Sequence, residues 1–343
     1  MTKERIKWLD AAKGLGILLV VFGHNPVPAP LGKYLVSFHM PLFFLVSGYL
    51  FGMTKPLGFK EFLRKRIRTL VIPYFAFFLL QYVYFVTLGS KYGETSGGMS
   101  LTTPLFGVFY GSEQYLDAVF TPMWFLPCLF TVEVMFFWTL RLFRQWYGLV
   151  LVACSVLGFL GSLWLSFRLP WGIEIAFTAI VFYGAGSAVQ WLKNAGKYPL
   201  WAIAPIPVLL AVNFFASWRN DSVSLRANTY GNYFLFYIAA FTGVFGYILI
   251  SQLVQGFKPL LYLGKNSLII FTLHALAFPL IKGLLKFVFK VPLMNLQDSI
   301  PAALLFTAAC VLVLIPAIYV INKYFYFILG RPRPAGLAVT TAM

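Results

Sequence analysis

Long apolar runs separated by short polar segments dominate the pattern of this chain. A membrane-spanning helix needs about 20 predominantly apolar residues, and several stretches have that length and composition. The pattern predicts ten spanning helices, near residues 8–24, 35–53, 69–89, 119–140, 146–166, 171–191, 199–216, 231–252, 266–288 and 301–328. No internal repeat divides the runs, so we interpret residues 1–343 as a single transmembrane domain with no appended soluble domain.

Composition excludes two other classes of protein. Hydrophobic residues make up 60% of the chain and charged residues 11%, and the mean hydropathy is +0.81. A soluble domain carries about 25% charged residues, and a disordered chain combines low hydrophobicity with many charges. The predicted fold class is therefore all-α, a polytopic membrane protein. Asp10 and Lys13 interrupt the first run, which favours a retained helix over a signal peptide.

The net charge of +17 arises from 27 Lys and Arg against 10 Asp and Glu. Such an excess suggests nucleic acid in a soluble protein, but membrane proteins concentrate basic residues in cytoplasmic loops. With the N-terminus inside, eighteen cations fall in inner segments and eight in or beside outer segments, while Lys13 lies within the first helix. The chain is therefore predicted to be N-in and C-in, with the lipid bilayer and no nucleic acid as a partner.

Ionisable side chains inside a bilayer are costly, which makes each of them a functional candidate. Lys13 and His24 are separated by eleven residues, about 16 Å and close to three turns of helix, so they face one stripe. Asp10 precedes Lys13 by three residues, a spacing that allows an ion pair. His39 enters the second helix from the side on which His24 ends, at a similar predicted depth.

Two converging histidines suit proton transfer near neutral pH, and His24 and His39 are the catalytic candidates. The alternative for His24 is a hydrogen-bonded interfacial histidine, and for Lys13 an ion pair near the headgroups. A metal site is not expected, because no nearby Cys or carboxylate completes a zinc ligand set. The cysteines lack paired spacing and are predicted to be small buried hydrophobic residues; they are Cys128, Cys154 and Cys310.

A basic run, Arg64 to Arg68, follows the second predicted helix. One interpretation is a topology signal or a contact with anionic lipid. The other is a cradle for a phosphorylated cofactor, because the forked guanidinium group of arginine matches phosphate geometry.

Three residues are candidates for an acceptor site: Trp124 near the outer side, Glu133 near mid-membrane and Glu174 after an interfacial tryptophan. Interfacial tryptophans ordinarily form an aromatic belt, whereas sugar rings also stack on such side chains. His274 is predicted near mid-depth, where helix packing and a cofactor contact are both open.

The chain resembles the acyltransferase-3 family of integral membrane O-acyltransferases, with the fucose 4-O-acetylase-like proteins as the closest branch. The resemblance lies in Trp8 to Gly14 with Val20 to His24, Phe38 to Phe44, Lys65 to Arg68 with Ile72 to Tyr74, Trp124 to Pro127, and Asn266 to Leu268 with His274. The family's motif of a basic residue, ten spacers and a histidine falls on Lys13 and His24, where many members have arginine. Its two-spacer basic motif falls on Lys65 and Arg68, with Arg66 as an alternative first member.

The resemblance implies transfer of an acyl group, usually acetyl from cytoplasmic acetyl-CoA, to a hydroxyl of a sugar, a glycan or a lipid-linked saccharide. The implied cofactor-binding residues are Lys13, Lys65, Arg66, Arg68 and His274, and the implied location is a bacterial cytoplasmic membrane. The alternative is a transporter or flippase for a glycolipid or a small anion, which would use the same intramembrane charges. The sequence leaves open the acyl chain, the acceptor, the oligomeric state, and the choice between a general base and an acyl-histidine.

Overall fold

The computed structural model describes residues 6–54, 56–89, 100–116, 120–189, 204–288, 290 and 298–331. These residues form helices joined by turns, and no strand is present among them. The helices are α1 (Lys7–Gly23), α2 (Ala29–Gly52), α3 (Phe59–Arg66), α4 (Ile72–Tyr84), α5 (Thr103–Tyr110), α6 (Phe125–Leu142), α7 (Tyr147–Trp164), α8 (Ile173–Ala188), α9 (Pro205–Arg219), α10 (Tyr233–Leu253), α11 (Lys258–Lys265), α12 (Ser267–Phe287) and α13 (Ile300–Tyr324).

The helices confirm the predicted all-α membrane fold. Within the described part of the chain, eight helical segments are long and apolar enough to cross a membrane. Two further predicted spans coincide with α1 and α9, which have 17 and 15 residues. The total of ten spans and the N-in orientation stay predictions. Part of the loop charge behind that orientation, such as Lys55 and Lys193, lies outside the described residues.

Helix boundaries differ from the sequence prediction mainly where proline is involved. Helix α2 begins at Ala29, six residues before the predicted start, because Pro30 in its first turn is compatible with helix geometry. The third span extends back to Phe59, because amphipathic α3 runs through a π-helical stretch at Ile67–Val71 into α4. Helix α9 begins only at Pro205.

Helix α1 lies at the centre of the bundle, in contact with α2, α10, α11, α12 and α13. Its Ala11, Ala12 and Ile17 are completely buried. Helices α2 and α8 approach even more closely, through Gly48 and Gly186. A methyl group at either glycine would collide with the backbone of the facing helix. Small residues thus allow the two backbones to touch, as is common between membrane helices.

The outer surface of the bundle is apolar, as a surface in contact with lipid tails requires. Helix α7 has only three buried side chains or glycines. Its exposed residues include Leu149, Val152, Val156, Leu157, Leu163 and Trp164. An apolar surface of this kind would promote aggregation in water, whereas in a bilayer it contacts lipid tails.

The two ends of the bundle differ in chemistry. At one end, which we call the basic end, α2, α6 and α8 finish beside Lys65 and Arg66 of α3. At the other end, which we call the histidine end, α1 finishes at His24 and a loop of residues 220–232 connects α9 to α10.

The 220–232 loop is fixed by hydrogen bonds from other segments. Lys33 Nζ donates to the Asn220 carbonyl at 3.1 Å, and Arg168 donates to the Ala227 carbonyl. Tyr230 is buried within the loop and donates to Asn228 Oδ1 at 3.0 Å. Burial raises the pKa of Tyr230, so its hydroxyl stays protonated and keeps this bond. The loop is therefore a defined wall of the histidine end.

Candidate active site

His24 and His274 meet at the histidine end. Their ring centroids are 4.7 Å apart, at an interplanar angle of 73°. His274 is completely buried, whereas His24 is exposed at the end of α1. Phe278 packs edge-on against His274, with its ring centroid at 5.9 Å. The pair therefore joins a histidine that can reach a substrate to one that is enclosed by protein.

All three histidines use the same ring nitrogen to bond their own helix. The Nδ1 atoms of His24, His39 and His274 lie 2.7 Å from the Val20 carbonyl, 2.6 Å from the Leu35 carbonyl and 2.8 Å from the Phe271 carbonyl. A carbonyl oxygen can only accept, so each Nδ1 carries the proton. Each neutral ring therefore presents Nε2 as a proton acceptor, the form that a general base needs.

His39 lies deeper than His24, not at a similar depth. Gly23 lies beside Leu35 and Gly16 beside Leu42, which fixes the register of antiparallel α1 and α2. His39 is therefore about one and a half turns, or ~7 Å, further from the end of the bundle. It is 8% exposed and interacts electrostatically with His24.

Other elements hold the end of α1 in place. Asn25, directly after His24, donates to Thr307 Oγ1 of α13 at 3.3 Å. Arg226 of the 220–232 loop interacts electrostatically with His24. Arg226 is thus a candidate that sequence reasoning missed, because as one loop cation among several it carried no distinguishing signal.

Lys13 lies on α1 below His24 and forms an ion pair with Asp10, at 3.3 Å between Nζ and Oδ1. The Lys13 side chain is 24% exposed and that of Asp10 is 6% exposed. The contact is the one that their spacing allowed. The structure thus places Lys13 apart from the histidine pair.

A cavity of about 540 Å³ opens at the basic end. Lys65 and Arg66 of α3 line it, together with Arg141 and Arg144 at the end of α6. Two stacked rings, Phe62 and Phe137, complete its apolar wall with centroids 4.6 Å apart. A pocket of this size, with a few convergent charges on an apolar wall, is typical of a small-molecule site. We call it the basic cavity.

Arg68 does not line the basic cavity. It packs against Gly330, beyond the end of α13. Arg141 and Arg144 take its place, although the sequence indicated them only as loop cations. Their contribution depends on α6 packing against the α3 segment, which no local pattern reveals.

Glu133 of α6 is 2% exposed and contacts two groups from other segments. Its Oε2 lies 2.9 Å from Arg66 Nε, and its Oε1 accepts a hydrogen bond from the Tyr183 hydroxyl at 3.3 Å. The structure thus joins Glu133 to the basic cavity, away from the acceptor site for which the sequence suggested it.

The family model for the acyltransferase domain matches residues 6–322. The chain belongs to the acyltransferase-3 family. It is a membrane acyltransferase, as the sequence resemblance implied. No match to a curated protein or to a solved structure was found. The fucose 4-O-acetylase-like branch stays a prediction.

The remaining acceptor candidates of this acyltransferase have structural contacts. Glu174 Oε2 accepts from the Leu169 backbone nitrogen at 3.1 Å, at the start of α8. Trp124 is 6% exposed and packs against Phe125 before α6. Phe125 in turn touches Phe271, one turn before His274. Trp124 is therefore connected to the histidine pair through aromatic contacts, whereas Glu174 stabilises a helix start.

Proposed function

We propose that the protein is an O-acyltransferase that moves an acyl group, acetyl in the simplest case, from acyl-CoA to a hydroxyl of a sugar or glycan. The donor would bind at the basic end and the acceptor at the histidine end. The observation that carries the proposal is the pair of His24 and His274, in which an exposed imidazole with an available Nε2 rests on a buried one.

The charge asymmetry supports an orientation in which the basic end is cytoplasmic. Acyl-CoA is made in the cytoplasm, and its phosphates need several fixed cations. Lys65 and Arg66 offer these in the basic cavity. Arg68 adds positive potential from the same segment, whereas the charge of Lys13 is paired with Asp10. We place the protein in a bacterial cytoplasmic membrane, in the fucose 4-O-acetylase-like branch of the family. Its acceptor would be a saccharide or a lipid-linked saccharide on the outer side.

Helix α2 connects the two sites. Phe51 lines the basic cavity, and His39 lies twelve residues earlier on the same helix, about 18 Å away along its axis. The extended pantetheine arm of CoA would cover this separation. The thioester would then reach the depth of His39, with His24 beyond it on the acceptor side, while the nucleotide stays at the basic end.

In the proposed reaction, His24 Nε2 removes the proton of the acceptor hydroxyl as its oxygen attacks the thioester carbonyl. A tetrahedral oxyanion forms, and positive groups near it, such as Arg226, would stabilise its charge. The carbon–sulfur bond then breaks, the acyl group stays on the acceptor oxygen, and the CoA thiolate takes up the proton from His24. His39 would be a second catalytic histidine on the path of the thioester. No metal takes part in this scheme.

The test is acyl transfer by purified protein in proteoliposomes, measured as CoA release from acetyl-CoA with and without added saccharide acceptors. We expect wild-type protein to release CoA and the His24→Ala variant not to. A protein that moves a glycolipid or an anion across the bilayer but releases no CoA would be a transporter, and the proposal would be wrong. Mass spectrometry of surface glycans with and without the protein would then identify the acylated position.

A further inference from the structure

Glu133 contacts two groups, the Arg66 guanidinium and the Tyr183 hydroxyl, although one cation would be enough to neutralise its charge. The carboxylate meets the guanidinium group through Nε, and the Tyr183 hydroxyl holds the other carboxylate oxygen. A buried carboxylate in a spanning helix is costly unless it is paired and hydrogen-bonded. Here both requirements are met by side chains from two other segments.

Because Glu133 contacts Arg66 at Nε, the two terminal nitrogens of the guanidinium group are not used by this ion pair. Arg66 lines the basic cavity, and its Cζ lies 5.4 Å from the centroid of the Phe62 ring. Among the described residues, no hydrogen-bond partner is found for its two terminal nitrogens. Those nitrogens form the fork that binds phosphate in a bidentate manner. Glu133 and Phe62 thus hold the guanidinium group at the wall of the cavity, and neither contact uses its fork.

The cavity around this fork is strongly cationic. The side chains of Lys65, Arg66, Arg141 and Arg144 line it. Glu133 contributes one negative charge through its ion pair with Arg66. A net excess of three positive charges around about 540 Å³ suits a ligand with several negative charges. The phosphates of a nucleotide-derived thioester have this character, whereas a neutral sugar does not.

We propose that Glu133 is a positioning residue of the donor site, which holds Arg66 by Nε so that its fork binds a phosphate of acyl-CoA. Arg141 and Arg144 supply the remaining phosphate contacts. The inference rests on the proposed function and adds residues from α6 to a donor site that sequence reasoning located only in the α3 segment.

Electrostatics alone predicts the opposite effect from positioning. If Glu133 only lowered the positive potential of the cavity, then removing its charge would strengthen anion binding. If Glu133 positions Arg66, then removing the side chain frees the guanidinium group and weakens phosphate binding. The sign of the change therefore separates the two roles.

The experiment compares acetyl-CoA with the acetyl thioester of N-acetylcysteamine, which lacks phosphates. For Glu133→Ala we expect KM for acetyl-CoA to rise about tenfold or more, the loss of one charge-assisted phosphate contact. KM for the phosphate-free thioester should not change. Glu133→Gln loses the ion pair with Arg66 but keeps the side-chain volume and an oxygen that accepts from the Tyr183 hydroxyl, so its KM for acetyl-CoA should rise less than that of Glu133→Ala.

Glu61 of the same basic segment provides the matched control. It is exposed and does not line the cavity, so Glu61→Ala removes the same charge without releasing Arg66 and should leave both KM values unchanged. If Glu133→Ala does not fold, the Arg66→Lys variant is measured instead, because lysine has neither the Nε group nor the fork. It should show the same selective loss, and adding Glu133→Gln should cause no further loss.

A lower or unchanged KM of Glu133→Ala for acetyl-CoA would overturn the inference. An equal rise in KM for both thioesters would overturn it as well. A wild-type protein that uses neither thioester would instead contradict the proposed function. The two failures are therefore distinguishable in one data set.

Discussion

The imidazole rings of His24 and His274, from α1 and α12, meet edge to face. Each ring donates from Nδ1 to a carbonyl of its own helix, which leaves both Nε2 atoms unprotonated. One histidine of the pair is accessible and the other is enclosed by protein. His24 is exposed where a substrate would enter, and His274 forms the dry side of the contact. A base in such a position keeps its orientation without a carboxylate partner.

Replacing His24 by alanine should abolish acyl transfer without unfolding the protein. A general base contributes about 10²–10⁴-fold to a rate, so CoA release should fall by at least about 100-fold. Because His24 is exposed at a helix end, the thermal stability of the purified variant should be close to that of the wild type. Near-normal turnover in both His24→Ala and His39→Ala would contradict the assignment of either histidine as the base.

His274→Phe should separate packing from chemistry. Phenylalanine keeps most of the ring volume among Phe271 and Phe278 and removes Nε2, a buried atom for which no partner is found among the described residues. A buried acceptor without a partner costs about 1–3 kcal/mol. The melting temperature should therefore stay equal or rise, while kcat falls. Full activity in this variant would make His274 a packing residue only.

Sequence reasoning located most of the helices because apolar run length is a local property. It placed the start of α2 near residue 35, six residues late, because the helix also includes Pro30 in its first turn. It also found the stripe that joins Lys13 to His24, because both residues lie on one helix and their spacing fixes their relation.

The site could be predicted only in part, because its main contacts join distant segments. Neither the contact of His24 with His274 nor that of Arg66 with Glu133 follows from spacing, since each depends on which helices pack together. Arg141 is one of the eighteen cations that the sequence assigned to inner segments, but only the packing of α6 against α3 brings it to the basic cavity. Tertiary packing thus determined which charged residues share a site.

Close packing of α2 on α8 makes a specific stability prediction. Gly48→Ala would place a methyl group against the Tyr183 carbonyl, so the helices must separate, at a cost of about 1–3 kcal/mol. Gly283→Ala is the control, because a methyl group at this position in α12 meets open space and alanine favours a helix by about 1 kcal/mol. Thermal unfolding in detergent should show a lower melting temperature for the first variant only. Equal melting temperatures would mean that the α2–α8 contact is looser than the structure shows.

The orientation can be tested by cysteine labelling. The native cysteines, Cys128, Cys154 and Cys310, are buried and can be replaced to give a clean background. A cysteine at exposed Ser222, in the 220–232 loop, should react with an impermeant maleimide in intact cells. A cysteine at exposed Arg144, beside the basic cavity, should react only after permeabilisation. The reverse pattern would invert the proposed polarity of donor and acceptor.

Calorimetric titration of CoA should separate the cations that touch the donor from those that only orient the chain. Each charge-assisted arginine–phosphate contact contributes about 1.5–3 kcal/mol, so Arg66→Ala and Arg144→Ala should each weaken CoA binding by roughly 10–150-fold. Arg66→Lys should restore binding only in part, because lysine lacks the fork.

Arg68→Ala is the internal comparison for this titration. Arg68 belongs to the same basic run but packs against Gly330 outside the cavity. Its loss should weaken CoA binding by less than about threefold, the effect of a nearby charge without a contact. If Arg68→Ala loses CoA binding while Arg144→Ala keeps it, the phosphates lie on the Gly330 side of the basic segment. Unchanged affinity in all three alanine variants would mean that these arginines only orient the chain in the membrane.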